Sequence, residues 1–175
     1  LCFSYNKRDK KLEDHGIAAH VKPGSGPRHL VFSPNGRYAY LMNELSGKVI
    51  VYSYSDGKLK ELQSIAADNA NARGGADIHV SPDGMFVYAS TRLKGDGITI
   101  FRVGNKGTLT RVGAQLTGKH PRNFAITPNG NFLLVACRDD NSIQVYSRDK
   151  DTGLLKNTHQ DIVLSHPVCV KFYPE

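Results

Sequence analysis

Hydrophobic and polar residues alternate with a two-residue period along most of the chain. Segments such as YAYLMNE (38–44), KVIVYSY (48–54), FVYASTR (86–92), GITIFRV (97–103) and SIQVYSR (142–148) place Val, Ile, Tyr and Phe at alternate positions, between stretches of Gly, Asn, Asp and Pro. Side chains of a β-strand point to opposite faces in turn, so this pattern predicts half-buried strands joined by tight turns. No segment carries a helical period.

The strands recur as a unit. Ser-Pro-Asn-Gly at 33–36 returns as Ser-Pro-Asp-Gly at 81–84 and Thr-Pro-Asn-Gly at 127–130, and a shortened echo, Tyr-Pro-Glu, closes the chain. The turn prolines Pro34, Pro82, Pro128 and Pro174 lie 48, 46 and 46 residues apart. HLVF, DIHV, NFAI and CVKF stand before the turns. Four strands are predicted per repeat, in the first near 29–33, 37–43, 48–55 and 59–66. An all-β chain of four-stranded repeats with this period predicts the blades of a β-propeller, with a β-helix or β-sandwich as the alternative. Residues 1–24 align with the outer strands of a partial blade, 25–72, 73–118 and 119–164 with whole blades, and 165–175 with the inner strand of a closing blade. About three and a half blades cannot close a ring, so the missing N-terminal half or self-association of the fragment is expected to complete it. Residue 1 is Leu, and LCFSY reads as the tail of a strand, so the chain is expected to begin inside a longer protein. An end on an inner strand is expected to be a C-terminus whose blade N-terminal strands complete, which removes a sheet edge.

Composition narrows the function classes. With 175 residues, 39% hydrophobic and 22% charged, the chain reads as a soluble globular protein. No apolar run approaches the roughly 20 residues of a membrane helix, so no membrane partner is expected. Cys2, Cys137 and Cys169 include no CxxC pair, which argues against a disulfide framework or zinc site and for a reducing cytoplasm. The seven histidines show no metal-ligand spacing. The net charge is +7, but the basic residues are scattered, with only short clusters such as KRDKK at 7–11. Without a basic stripe nucleic acid is not expected, and the excess suits a cleft for an anionic small molecule.

Strand geometry locates that cleft. The inner and second strands of a blade run antiparallel, so the start of the first and the end of the second share one rim. Arg28 and His29 stand at that start and Glu44 at that end. Ten residues after the turn proline the blades carry Glu44, Arg92 and Arg138; six before it Arg28, Ala76, Arg122 and Val168; five before it His29, Asp77, Asn123 and Cys169. Arg–Glu pairs between blades can be purely structural, and His79, inside an inner strand, reads first as structural. A structural device repeats, however, and Glu44 does not. One carboxylate among arginines suits a phosphate or carboxylate ligand.

GPRHLVFSPNGRYAYLMNE, IHVSPDGMFVYASTR and HPRNFAITPNGNFLLVACR closely resemble the cytoplasmic seven-bladed propeller lactonases, which include the bacterial propeller-type 6-phosphogluconolactonase and the fungal 3-carboxymuconate lactonizing enzyme. The resemblance covers essentially the whole chain and matches the C-terminal half of such proteins. It implies seven blades and hydrolysis of a sugar-phosphate lactone, 6-phosphogluconolactone to 6-phosphogluconate of the pentose phosphate pathway, without a cofactor. Carried over by motif, Arg28 and His29 of GPRH, Glu44 of the Asn-Glu pair and Arg92 of STR are the catalytic candidates. Arg122 of HPRNF, Arg138, Asp77 and His79 are the substrate-binding candidates. Glu44 or His29 is expected as the base, Arg28 or Arg92 at the oxyanion, and Arg122 with Arg138 at the phosphate. Arg138 departs from the uncharged polar residue common at its position. The rival readings are a lactonizing isomerase acting on a carboxymuconate-like substrate and a non-catalytic propeller scaffold.

Overall fold

The structure, a computed structural model, describes residues 1–68, 70 and 73–173. It is built from antiparallel sheets in chain order. Strands β1 (Phe3–Asn6) and β2 (Lys11–Asp14) form a hairpin. Then β3 (Pro27–Phe32), β4 (Tyr38–Asn43), β5 (Lys48–Ser55) and β6 (Lys58–Ala66) form a four-stranded meander. A second follows from β7 (Gly75–Val80), β8 (Phe86–Thr91), β9 (Gly97–Val103) and β10 (Leu109–Leu116). The third has β11 (Pro121–Ile126), β12 (Phe132–Cys137), β13 (Ser142–Arg148) and β14 (Leu155–Asn157), with β15 (Ile162–Val163) also paired to β13. A one-turn 3₁₀ helix, Arg138–Asp140, is the only helical element among the described residues. This is the expected all-β, blade-by-blade propeller architecture.

Local chemistry explains why the turn is repeated. Tyr38 N–H donates to Ser33 Oγ (3.0 Å), and that hydroxyl donates to Asn35 Oδ1 (2.7 Å). Gly36 N–H closes on Ser33 O (2.8 Å) at a φ of +68°, a conformation that glycine adopts without steric cost. Ser81 and Thr127 make the same bonds in the next two turns.

The core lies between blades. Tyr40, Met42, Val49 and Val51 of the first meander pack with Ile78, Val87 and Phe101 of the second. Phe86, Tyr88, Ile98 and Ile100 pack in turn with Phe124, Leu133, Val135 and Tyr146 of the third. Full burial of one such side chain contributes about 1.5–3 kcal/mol, so each blade is held mainly by its neighbours.

One expectation is corrected. Residues 165–173 form no strand, although an inner strand was expected over 165–175. Val170 N–H donates to Asn123 Oδ1 (2.7 Å), so the segment runs beside β11, but among the described residues no strand pairs with it in a ladder. Pro174 and Glu175, with the closing turn signal, and the expected boundary residue Ala72 lie outside the described residues.

Candidate functional site

Each inner strand begins with a register shift: between Pro27 and His29, between Gly75 and Ile78, and between Pro121 and Asn123. Bulges of this kind re-aim side chains at the end of a sheet. Here they lie where β3 meets the end of β4, with Pro27 opposite Asn43, which brings Arg28 beside Glu44.

Glu44 is fixed through backbone and side chain alike. Its N–H donates to Gly26 O (2.7 Å), and its carbonyl accepts from Gly74 N (2.7 Å) of the next blade. Its Oε1 accepts from Arg92 Nη2 (2.6 Å) and its Oε2 from Arg28 Nη1 (3.3 Å). Burial raises the carboxyl pKa, but the hydrogen bonds and charges of Arg92 and Arg28 outweigh it and hold Glu44 below the usual carboxylate range. Glu44 is thus an ionised acceptor and a weak base.

The two arginines differ in access. Arg92 is buried, and its guanidinium bonds Glu44, Gly74 O (3.2 Å), Gly75 O (3.3 Å) and His120 Nε2 (3.3 Å). Arg92, expected as a catalytic residue, thus spends most of its donors within the chain. Arg28 spends Nε on Ala76 O (2.9 Å) and Nη1 on Glu44. Its Nη2 has no hydrogen-bond partner among the described residues and is open to a ligand.

A second cluster centres on Asp77. His29 Nδ1 lies 2.6 Å from Asp77 Oδ1, and His79 Nε2 lies 3.1 Å from Oδ2. Oδ1 also accepts from Ile78 N–H (2.9 Å), and Oδ2 from Asn123 Nδ2 (2.5 Å) and Phe124 N–H (3.2 Å). Asp77, expected to bind substrate, is buried with both oxygens occupied by its own chain. Burial raises its pKa, but hydrogen bonds from His79, His29 and Phe124 and the charge of His79 prevail and bring it to about 2. His79 stacks edge-on to Phe124, with centroids 4.8 Å apart, and lines a cleft of about 360 Å³ with Asn123, Cys169 and Phe172.

Arg122 is half-buried and has no hydrogen bond or ion pair among the described residues. Arg138, on the 3₁₀ helix, clasps its neighbour Asp139 through Nε (2.6 Å) and Nη2 (3.2 Å). Of the two arginines expected at a phosphate, Arg138 thus has its charge met by Asp139 and Arg122 does not.

His120 carried no weight in the sequence reading, yet it links the two rim arginines. Its Nε2 lies 3.3 Å from Arg92 Nη1, and its Nδ1 lies 3.3 Å from both Arg138 Nη2 and Asp139 Oδ2. Both guanidinium groups are donors, so the neutral ring accepts from one of them through its bare nitrogen. Burial, Arg138 and Arg92 all lower its pKa and keep it neutral. The available signal was positional. Before the rim proline the first blade has Gly26, and His120 adopts the same left-handed backbone, with φ +59° against +65°. A side chain in that region is uncommon and points to a specific role.

The geometry therefore gathers Arg28, His29, Glu44, Arg92, Asp77 and His79 into two adjoining clusters, with Arg122 unpaired nearby in the third blade. It can hold an anion at Arg122 and Arg28, accept hydrogen bonds at Glu44, and move a proton at His29. Among the described residues no group of three or more His, Cys, Asp or Glu side chains is arranged to hold a metal ion, and no helix is long and apolar enough to cross a membrane.

A family model described as a seven-bladed β-propeller lactonase matches residues 1–172. A 6-phosphogluconolactonase of Formosa agariphila is 48% identical, over 85% of this chain and 43% of its own. A Bacteroides uniformis structure provisionally named a 6-phosphogluconolactonase superposes with a TM-score of 0.95 at 58% identity, over 98% of this chain and 50% of its own. A periplasmic gluconolactonase of Pseudomonas aeruginosa superposes with a TM-score of 0.84 at 35% identity, over 89% of this chain and 45% of its own. The chain spans about half the length of the relatives it matches.

Proposed function

The chain belongs to the seven-bladed β-propeller lactonase family, and from that premise we propose that its rim site hydrolyses a sugar-phosphate lactone, 6-phosphogluconolactone to 6-phosphogluconate. The observation that carries the reading is the Glu44 carboxylate clamped between Arg28 and Arg92, beside a half-exposed His29. Hydrolysis is preferred to lactonizing isomerisation and to a scaffold role because the relatives are named for lactone hydrolysis.

Water adds to the lactone carbonyl as His29 Nε2 takes its proton. The oxyanion meets Arg28 Nη2, whose charge is placed before the reaction begins. The ring C–O bond then breaks, the leaving oxygen recovers the proton from His29, and the new carboxylic acid ionises to solvent. Glu44, held ionised, accepts hydrogen bonds from sugar hydroxyls and aligns the ring. Arg122 takes the phosphate. A cytoplasmic setting is our reading of three free thiols, although the P. aeruginosa relative is periplasmic.

The test is made on the intact protein with the phosphorylated lactone and its unphosphorylated counterpart. Glu44→Gln is expected to lower kcat/KM about 10²–10³-fold, the scale of losing a preorganised polar contact. Arg122→Ala is expected to raise KM for the phosphorylated lactone alone. Wild-type rates for both well-folded variants would overturn the assignment.

A further inference from the structure

We infer that Asp77 is a positioning residue that fixes His29 in the Nδ1–H tautomer, leaving Nε2 bare toward the site as the proton acceptor of the reaction. The inference rests on the hydrolase reading for its kinetic consequence, but its structural content stands on the geometry.

An ionised carboxylate only accepts hydrogen bonds. The nitrogens facing Asp77 must therefore carry protons: Nδ1 of His29 at 2.6 Å and Nε2 of His79 at 3.1 Å. A neutral imidazole has one donor and one acceptor, so one buried carboxylate sets two histidines in opposite tautomers, with His29 presenting Nε2 and His79 presenting Nδ1. The carboxylate cannot turn away from this duty. Ile78 N–H and Phe124 N–H pin its two oxygens from β7 and β11, and Ser90 Oγ accepts from the Asp77 N–H (2.9 Å). Asn123 is oriented as well: its Oδ1 is taken by Val170 N–H, so its Nδ2 must point at Asp77.

The exposures fit the division of labour. The Asp77 side chain is 4% exposed and the His29 side chain 42%. His29 Nε2 has no hydrogen-bond partner among the described residues. When His29 takes a proton from water, the resulting imidazolium sits against a fixed negative charge that solvent does not screen. A plain seam between blades would not require this residue: Asn123, its equivalent in the next blade, already bonds across its own joint through an uncharged amide.

Two measurements on the intact protein decide the matter. In ¹⁵N-histidine-labelled protein, with His29 assigned by its loss in His29→Gln, the neutral ring is expected to show a protonated Nδ1 and a bare Nε2. A proton on Nε2, or the tautomer mixture of free histidine, would overturn the inference whatever the substrate proves to be. In Asp77→Asn, kcat is expected to fall about 10²–10⁴-fold with KM within about threefold, and adding His29→Ala is expected to cost little more, since residues acting as a unit are not additive. Additive losses, or a rate that merely follows the folded fraction measured by circular dichroism, would also overturn it. Should the wild-type protein leave the lactone untouched, the hydrolase reading fails and the tautomer measurement decides the placement of His29 by itself.

Discussion

Asp83 occupies a turn position that is Asn35 in the blade before and Asn129 in the blade after, and Arg148 supplies the reason. Its Oδ1 does the turn's work, accepting from Ser81 Oγ (2.5 Å) and Met85 N–H (2.9 Å) as an asparagine oxygen would. Its Oδ2 accepts from Arg148 Nη2 (2.7 Å), on a guanidinium with no solvent exposure that also bonds Tyr88 Oη and Gly130 O. Asp83→Asn keeps the turn but sets an amide N–H₂ against a buried cation. Removing one partner of a buried pair costs more than the pair is worth, so a loss of about 2–4 kcal/mol is expected. Replacing Arg148 by Met in the same chain should recover part of it. Denaturant midpoints of the two variants check this, and an Asp83→Asn midpoint equal to wild type would contradict it. The substitution of Asn by Asp was legible in the sequence, as was the meeting of Arg28 with Glu44, because both follow from counting along one blade. The sealing of Asp77 and the role of His120 were not, since those environments are made by residues from the neighbouring blade.

Strands and turns were read with bounds close to those observed, because alternation and the turn tetrads are local signals. What failed at this scale was non-local. The segment at 165–173 has strand-like composition without a completed ladder, and the bulges that aim Arg28 and His29 leave no mark on the hydrophobic pattern. Another non-local device joins the blades at the opposite end. The turn between β13 and β14 presents Gly153, at φ +76°, to the ring of Phe86 in the preceding blade, and Gly107 meets Tyr38 in the same way. A Cβ at either glycine would enter the aromatic ring, and the backbone conformation adds its own strain. At Gly57 the nearest atom to such a Cβ is Cys2 Sγ, at 3.3 Å. Gly153→Ala is therefore expected to cost about 2 kcal/mol or more and Gly57→Ala distinctly less. Thermal unfolding of the two variants side by side tests the ranking, and equal effects would show that the aromatic contact carries no weight.

The same inter-blade logic shows which apolar faces these 175 residues leave uncovered. Phe86 is fully buried under the next blade, whereas Phe132, its counterpart in the third meander, is 40% exposed because no following turn covers it. Val163 and Val168 are exposed with it, and at the other end so are Leu1, Phe3, Tyr5 and Leu12 of the opening hairpin. Two apolar faces thus stand open, and covering each large side chain would contribute about 1.5–3 kcal/mol. A closed ring covers both faces within one molecule; the 175-residue chain in isolation is expected to cover them with another copy. Opposing that, each copy carries a net charge of +7, and like charges repel over a distance that shrinks as salt is added. The isolated 175-residue chain is therefore expected to elute in gel filtration as species larger than its 19.2 kDa, to bind a hydrophobic dye, and to associate more strongly as salt rises from about 0.05 to 0.5 M. Association driven by the charged surface would weaken over the same range. A dye-silent monomer of 19.2 kDa at both salt concentrations would mean that the exposed faces are not adhesive, and that each blade draws enough stability from one neighbour alone.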